Sequence, residues 1–186
     1  MAGLDELHQA RRKDNRKVMI TDAAIEKVPL VRYPGIPEEQ YGILQQIAKQ
    51  VLIISRDRND GNEVAITYSL DSRRLISEGK EYYGVALGDG NSVDPSDDTV
   101  AYHLLNSGER NVIVTIHNHP SLSLLSLADA LFLLEYASVR MIVAVTNLGG
   151  IFYLAKTDRY DRNAAILLLK EAATMKPDDA SLKARQ

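Results

Sequence analysis

The chain contains no cysteine. That excludes disulfides, thiolate-held metals and cysteine nucleophiles, and it agrees with a reducing, cytoplasmic setting. No apolar run approaches the ~18 residues of a membrane span. The opening stretch MAGLDELHQARRKDNRK has no apolar core of the kind a secretory signal needs. A basic excess is missing too: 22 Lys and Arg stand against 25 Asp and Glu, for a formal net charge of −3. Nucleic-acid-binding domains usually carry a basic face, so neither a nucleic acid nor a membrane is expected as a partner. The nine tyrosines are scattered rather than spaced as a stacking platform. The glycines of VALGDGN are not followed by the Lys-Ser/Thr of a phosphate loop.

What is present is enough apolar material for a core: 45% of 186 residues. Residues 1–36 read as a polar N-terminal arm with helical pieces. A basic cluster stands at Arg11, Arg12, Lys13, Arg16 and Lys17, and Thr21 or Asp22 offers a helix N-cap. Residues 37–59 read as a leading helix. Pro37 followed by Glu38 and Glu39 is a helix start, and apolar side chains recur at Tyr41, Leu44, Ile47, Ala48, Val51 and Leu52. Residues 60–157 begin with the β-type runs EVAITYSL, RRLISEG and KEYYGVALG, the first two turning around Asp71 and Ser72. Pro95 then leads into helix TVAYHLLNSG. NVIVTI is a continuous apolar run, the mark of a strand covered on both faces. LADALFLLEYA is apolar almost all round and predicts a buried helix. RMIVAVTN and GIFYLAK form a strand pair turned at residues 147–150. Residues 158–186 add the amphipathic helix RNAAILLLKEAATM and a polar tail. Strands alternate with helices, which predicts an α/β (α+β) fold with extra helices at both ends.

Histidine is scarce. Of four in the chain, two fall in HNHPSLSLLSLAD, residues 117–129, directly after NVIVTI. In an extended strand, residues i and i+2 point to one face. His117 and His119 therefore aim the same way at the strand end, where Pro120 stops the ladder. Two co-facing imidazoles are half of a zinc site; a catalytic zinc takes a third protein ligand and keeps one position open. Asp129 falls in the first turn of the helix that begins near Ser126, so a tight connection can return it over the strand end. The same letters have a plainer reading, because S-x-x-D is also a helix capping box. His103 reads as a half-buried structural residue, and His8 as solvated.

H-x-H-P followed by S-x-x-D resembles the JAMM motif of the JAB zinc metalloprotease superfamily, and HNHPS is similar to its RadC-like branch. The resemblance covers about residues 60–156. It implies a curved mixed β-sheet flanked by helices, with Zn2+ held by His117, His119 and Asp129. Ser126 is then the donor that stabilises the oxyanion, and an upstream glutamate acts on the attacking water. NEVAITYSLDSRRLI matches the layout around that glutamate, which points to Glu63, 54 residues ahead of His117. Asp94, Asp97, Asp98 and Glu81 are the competing acids. The implied activity is that of a zinc metallopeptidase or isopeptidase, acting on an extended peptide such as the tail of a ubiquitin-like protein. The loop 121–125 departs from the branch. It is one residue shorter than usual and reads SLSLL where Gly, Asp and Pro are common; apolar loops of this kind occur in phage-associated proteins. The helical DNA-binding module of RadC proteins is not recognisable in residues 1–59. Two other readings stay open: a non-catalytic JAB-fold interaction scaffold, and a RadC-like role in DNA repair.

Overall fold

A computed structural model describes residues 17–71, 83–121 and 123–174. The basic cluster up to Arg16, the RRLISEG run with its turn at Ser72, Glu81 and the polar tail lie outside the described residues. At the N-terminal side, Thr21 is the cap of a short helix α1 (Asp22–Glu26), its Oγ1 accepting from the Ala24 N–H at 3.2 Å. Pro37 does not open the long helix directly. A single 3-10 turn (Glu38–Gln40) intervenes before α2 (Tyr41–Arg58). The predicted stripe is the one α2 buries, through Leu44, Ile47, Ala48, Val51 and Leu52.

Five strands follow: β1 (Val64–Ser69), β2 (Tyr83–Leu87), β3 (Ile113–His119), β4 (Val139–Thr146) and β5 (Ile151–Ala155). Helix α3 (Thr99–Leu105) lies between β2 and β3, α4 (Leu127–Glu135) between β3 and β4, and α5 (Arg162–Thr174) follows β5. Pro95 starts a separate 3-10 turn (Pro95–Asp97), while α3 is capped by Asp98, which accepts from the Ala101 N–H. The strands make one sheet in the order β2-β1-β3-β4-β5. Only β3 and β4 run parallel; the other pairs are antiparallel. A parallel pair needs a crossover, which α4 supplies. The protein is therefore a mixed α/β fold, a five-stranded mixed sheet flanked by helices.

The NVIVTI run is covered on both faces from Ile113 on, where β3 begins: every residue of β3 is buried, and so is every residue of β4, while Asn111 is exposed and Val112 half-buried. One face meets α2, with Leu44, Val51 and Leu52 against Val64, Ile66, Val114, Ile116 and Val143. Ile20, Ile25, Val28, Tyr33 and Ile36 join that cluster. The other face carries Leu104, Leu105 and Leu133 against Ile113, Val139 and Ile142. α4 is not the buried helix expected of LADALFLLEYA. It buries only Ala130, Leu133 and Leu134, and leaves Leu127 45% and Leu131 52% exposed. A crossover helix meets the sheet along one flank, and among the described residues Leu127 and Leu131 on its other flank stay exposed. Among the described residues, no helix is long and apolar enough to cross a membrane.

Candidate metal centre

The site forms at the C-terminal end of β3. There the strand meets the start of β1 on one side and the end of β4 on the other. His117 pairs with Ala65 across the antiparallel ladder and with Ala144 across the parallel one. Both flanking residues stop at a methyl group, so the imidazole has room above the sheet. His119 shares that face, two residues on. The two Nε2 atoms lie 2.8 Å apart, and both residues are buried. The loop orients the second ring: His119 Nδ1 lies 3.0 Å from the Ser123 carbonyl. A carbonyl only accepts, so this contact puts the proton on Nδ1 and turns the Nε2 lone pair to the centre.

Asp129 arrives by way of the helix start. Ser126 caps α4, its Oγ accepting from the Asp129 N–H at 3.2 Å, while the Ser126 N–H donates back to Asp129 Oδ2. This reciprocal box holds one carboxylate oxygen and leaves the other free to point inward. Asp129 Oδ1 stands 3.1 Å from His117 Nε2, and Oδ2 stands 3.7 Å from His119 Nε2. The two sequence readings of S-x-x-D thus describe one object, because the capping box delivers the third candidate ligand. Ser126 Oγ accepts the Asp129 N–H through a lone pair, which leaves its hydroxyl proton for another partner.

Four ligands about 2.0–2.1 Å from a tetrahedral zinc lie about 3.3 Å from one another. His117 Nε2 lies 2.8 Å from His119 Nε2 and 3.1 Å from Asp129 Oδ1, close to that spacing, and one donor atom from each of the three residues lies within 4.8 Å of the others. Among the described residues, His117, His119 and Asp129 are the group of this kind that can hold a metal ion. Protonation also suits ligation. Burial pulls the His119 pKa down, and the neighbouring His117 adds to it, which favours the neutral ring a metal needs. Burial on its own would raise the Asp129 carboxyl. The hydrogen bond and charge of His117, with the Ser126 contacts, outweigh it and hold the pKa at about 2.

Glu63 stands one residue ahead of β1. Because Ala65 faces His117, strand alternation puts Glu63 on the same face as the imidazoles. Burial pushes its carboxyl up from 4.5; His117 opposes this, Asp129 and Asp89 reinforce it, and the result is about 7. Its backbone is fixed on both sides. The N–H donates to the Asp89 carbonyl at 2.8 Å, and the carbonyl accepts from Gly88 N and Asn59 Nδ2, each at 2.8 Å. The competing acids serve elsewhere: Asp94 caps the 3-10 turn, Asp98 caps α3 and Asp97 is exposed. His103 is exposed on α3 rather than half-buried, its ring against Tyr102.

Three residues around the centre carry no signal in the reading of motifs: Ser123, Asn118 and Asn147. Asn118 had a legible clue. It alternates with the two histidines on a strand covered on both faces, so its amide must be buried, and a buried amide must find partners.

Comparison of the chain with protein-family models, with curated proteins and with solved structures gave no match. The likeness to the JAB/JAMM superfamily therefore rests on the residues themselves.

Proposed function

We propose that the protein is a zinc-dependent hydrolase of JAB/JAMM type that cleaves a peptide or isopeptide bond. The observation that carries this reading is the convergence of His117 Nε2, His119 Nε2 and Asp129 Oδ1 on one buried point, with Glu63 on the same face. The mixed sheet, and the place of the site at the end of its third strand, suit a JAB-type fold. A zinc ion held by the three residues would supply a Lewis acid, polarising a carbonyl and acidifying water within its reach.

The chain's own residues then divide the work. Glu63, on the same face as the imidazoles, accepts the proton of the attacking water and returns it to the leaving amine, a role worth roughly 10²–10⁴ in rate. The Ser126 hydroxyl donates to the oxygen that gains charge, a contribution of about 10²–10³. Ser123, Leu124 and Leu127 are exposed beside the site, which suits an extended peptide, such as the tail of a ubiquitin-like protein, rather than a small molecule. We place the protein in the cytoplasm, in keeping with a chain that has no cysteine. The intact ligand set weighs against a purely scaffolding role.

The test is metal analysis combined with turnover on ubiquitin-like or peptide substrates. Protein purified without chelator should hold about one zinc per chain. Glu63→Gln should keep that zinc and lose turnover by roughly 10²–10⁴-fold, leaving a residual rate. Wild-type protein that takes up no zinc when zinc is supplied would overturn the reading.

A further inference from the structure

Asn118 lies between the two candidate ligands, and its side chain points through the sheet to the opposite face. It is fully buried, and every polar position of its carboxamide is used. Oδ1 accepts from the Val64 N–H at 2.8 Å. Nδ2 has two N–H groups and three acceptors in reach, Ser55 Oγ at 3.1 Å, the Asn62 carbonyl at 3.2 Å and Asn147 Oδ1 at 2.9 Å, so one N–H is shared between two of them. Two of these partners, Asn62 and Val64, are the immediate neighbours of Glu63 in the chain. The backbone register between β1 and β3 runs from Ser69↔Ile113 to Ala65↔His117. One residue further, Val64 meets the Asn118 side chain instead, so Glu63 lies just beyond the end of the ladder. There the carboxamide takes over from the strand.

Ser55 adds the last turn of α2 to the same point, and Asn147 adds the end of β4. Asn147 N also donates to the His119 carbonyl at 3.2 Å, and its Nδ2 to the Val18 carbonyl at 2.7 Å. One side chain thus joins the flanks of Glu63 to the strand that bears both imidazoles.

We propose that Asn118 is a positioning residue, which sets Glu63 against the His117–His119 pair by bonding to the residues on either side of it. What Glu63 does chemically rests on the reading of the preceding subsection; where Asn118 holds it does not. No common residue replaces the amide. Asp would turn a second acceptor on the Asn62 carbonyl and Asn147 Oδ1, and Ala would leave the Val64 N–H without a partner in the interior.

The test uses the full chain with Asn118→Ala, and Ser55→Ala as a milder variant that removes one partner of the carboxamide. Amide hydrogen exchange at Val64 and Glu63 needs neither metal nor turnover. Both amides should exchange at least about tenfold faster in Asn118→Ala, while amides in the middle of β4 keep their protection. In cobalt-loaded protein, the paramagnetic shift of the Glu63 side-chain signals should shrink. Where peptide hydrolysis is measured, kcat should fall about 10- to 100-fold with KM unchanged. The same substitution in a Glu63→Gln background should cost little more, because both act through one group. Equal losses in the two backgrounds, or unchanged exchange at Val64 and Glu63, would overturn the proposal. A wild-type protein that binds cobalt but cleaves nothing would sink the hydrolase reading alone, and the exchange and cobalt signals would still decide the role of Asn118. If Asn118→Ala does not fold, Ser55→Ala must show the same changes in smaller measure; normal exchange at Val64 in that variant counts against the proposal.

Discussion

His117 Nε2 and His119 Nε2 are 2.8 Å apart in a buried pocket, with Asp129 Oδ1 3.1 Å from the first. A single metal ion between the two ring nitrogens would take both lone pairs at once. Zinc should therefore raise the thermal midpoint, by the equivalent of about 2.7 kcal/mol once free metal exceeds the dissociation constant a hundredfold. His117→Ala should abolish the rise. Differential scanning fluorimetry with zinc and with a chelator checks both, and a midpoint indifferent to zinc would remove the metal from the account.

Ser126 is given two tasks, a cap and a hydroxyl donor, and they come apart by substitution. Ser126→Ala loses both and should cost about 1 kcal/mol of stability, whereas Ser126→Gly should cost only a few tenths, since glycine is tolerated at an N-cap. Turnover should fall about 10²-fold in both. Chemical denaturation and steady-state kinetics on the pair read this out. If turnover follows stability and recovers in Ser126→Gly, the serine is only a cap.

The site was legible where its geometry is local. His117 and His119 are two apart on a strand, and Ser126 and Asp129 are three apart at a helix start, so spacing alone orients each pair. What brings the pairs together is the tight connection from β3 into α4, as expected from Asp129 falling in the first turn of that helix. Glu63 was reachable only through resemblance, because nothing near it in the chain separates it from an ordinary strand-start glutamate. Asn118 was missed for a related reason. Its partners lie at Ser55, Asn62, Val64 and Asn147, up to 63 residues away in sequence. The exposure of α4 was misjudged because composition tells how apolar a helix is, not how many layers will cover it. Leu127 and Leu131 are as apolar as Leu133 and Leu134, yet they face outward.

The turn between β4 and β5 fixes the N-terminal segment as well as the hairpin. Gly149 has φ +86, and a Cβ there would run into the Ala24 carbonyl at the heart of α1. Gly149→Ala should destabilise by at least about 1–2 kcal/mol from the left-handed backbone alone, with the steric clash on top. Urea denaturation measures the loss. Stability equal to wild type would mean that α1 docks more loosely than this contact requires.

The raised pKa of Glu63 makes stability depend on pH in a definite direction. The carboxyl ionises near its ordinary 4.5 in the unfolded chain and near 7 in the folded metal-free protein, so between these values the folded state binds more protons. Stability from this group is whole below pH 4.5, falls as pH rises, and is lost above 7. The loss is on the order of 3 kcal/mol for a shift of this size. Glu63→Gln has no proton to lose. It should match wild type near pH 4 and exceed it above pH 7, when both are freed of metal. Urea denaturation across pH 4–8 reads the difference. A cation in the site should erase much of it, because positive charge beside Glu63 returns its carboxyl toward the ordinary range. Curves for Glu63→Gln and wild type that stay parallel over this window would show that Glu63 is not buried against the histidines, and its part in proton transfer would fall with that.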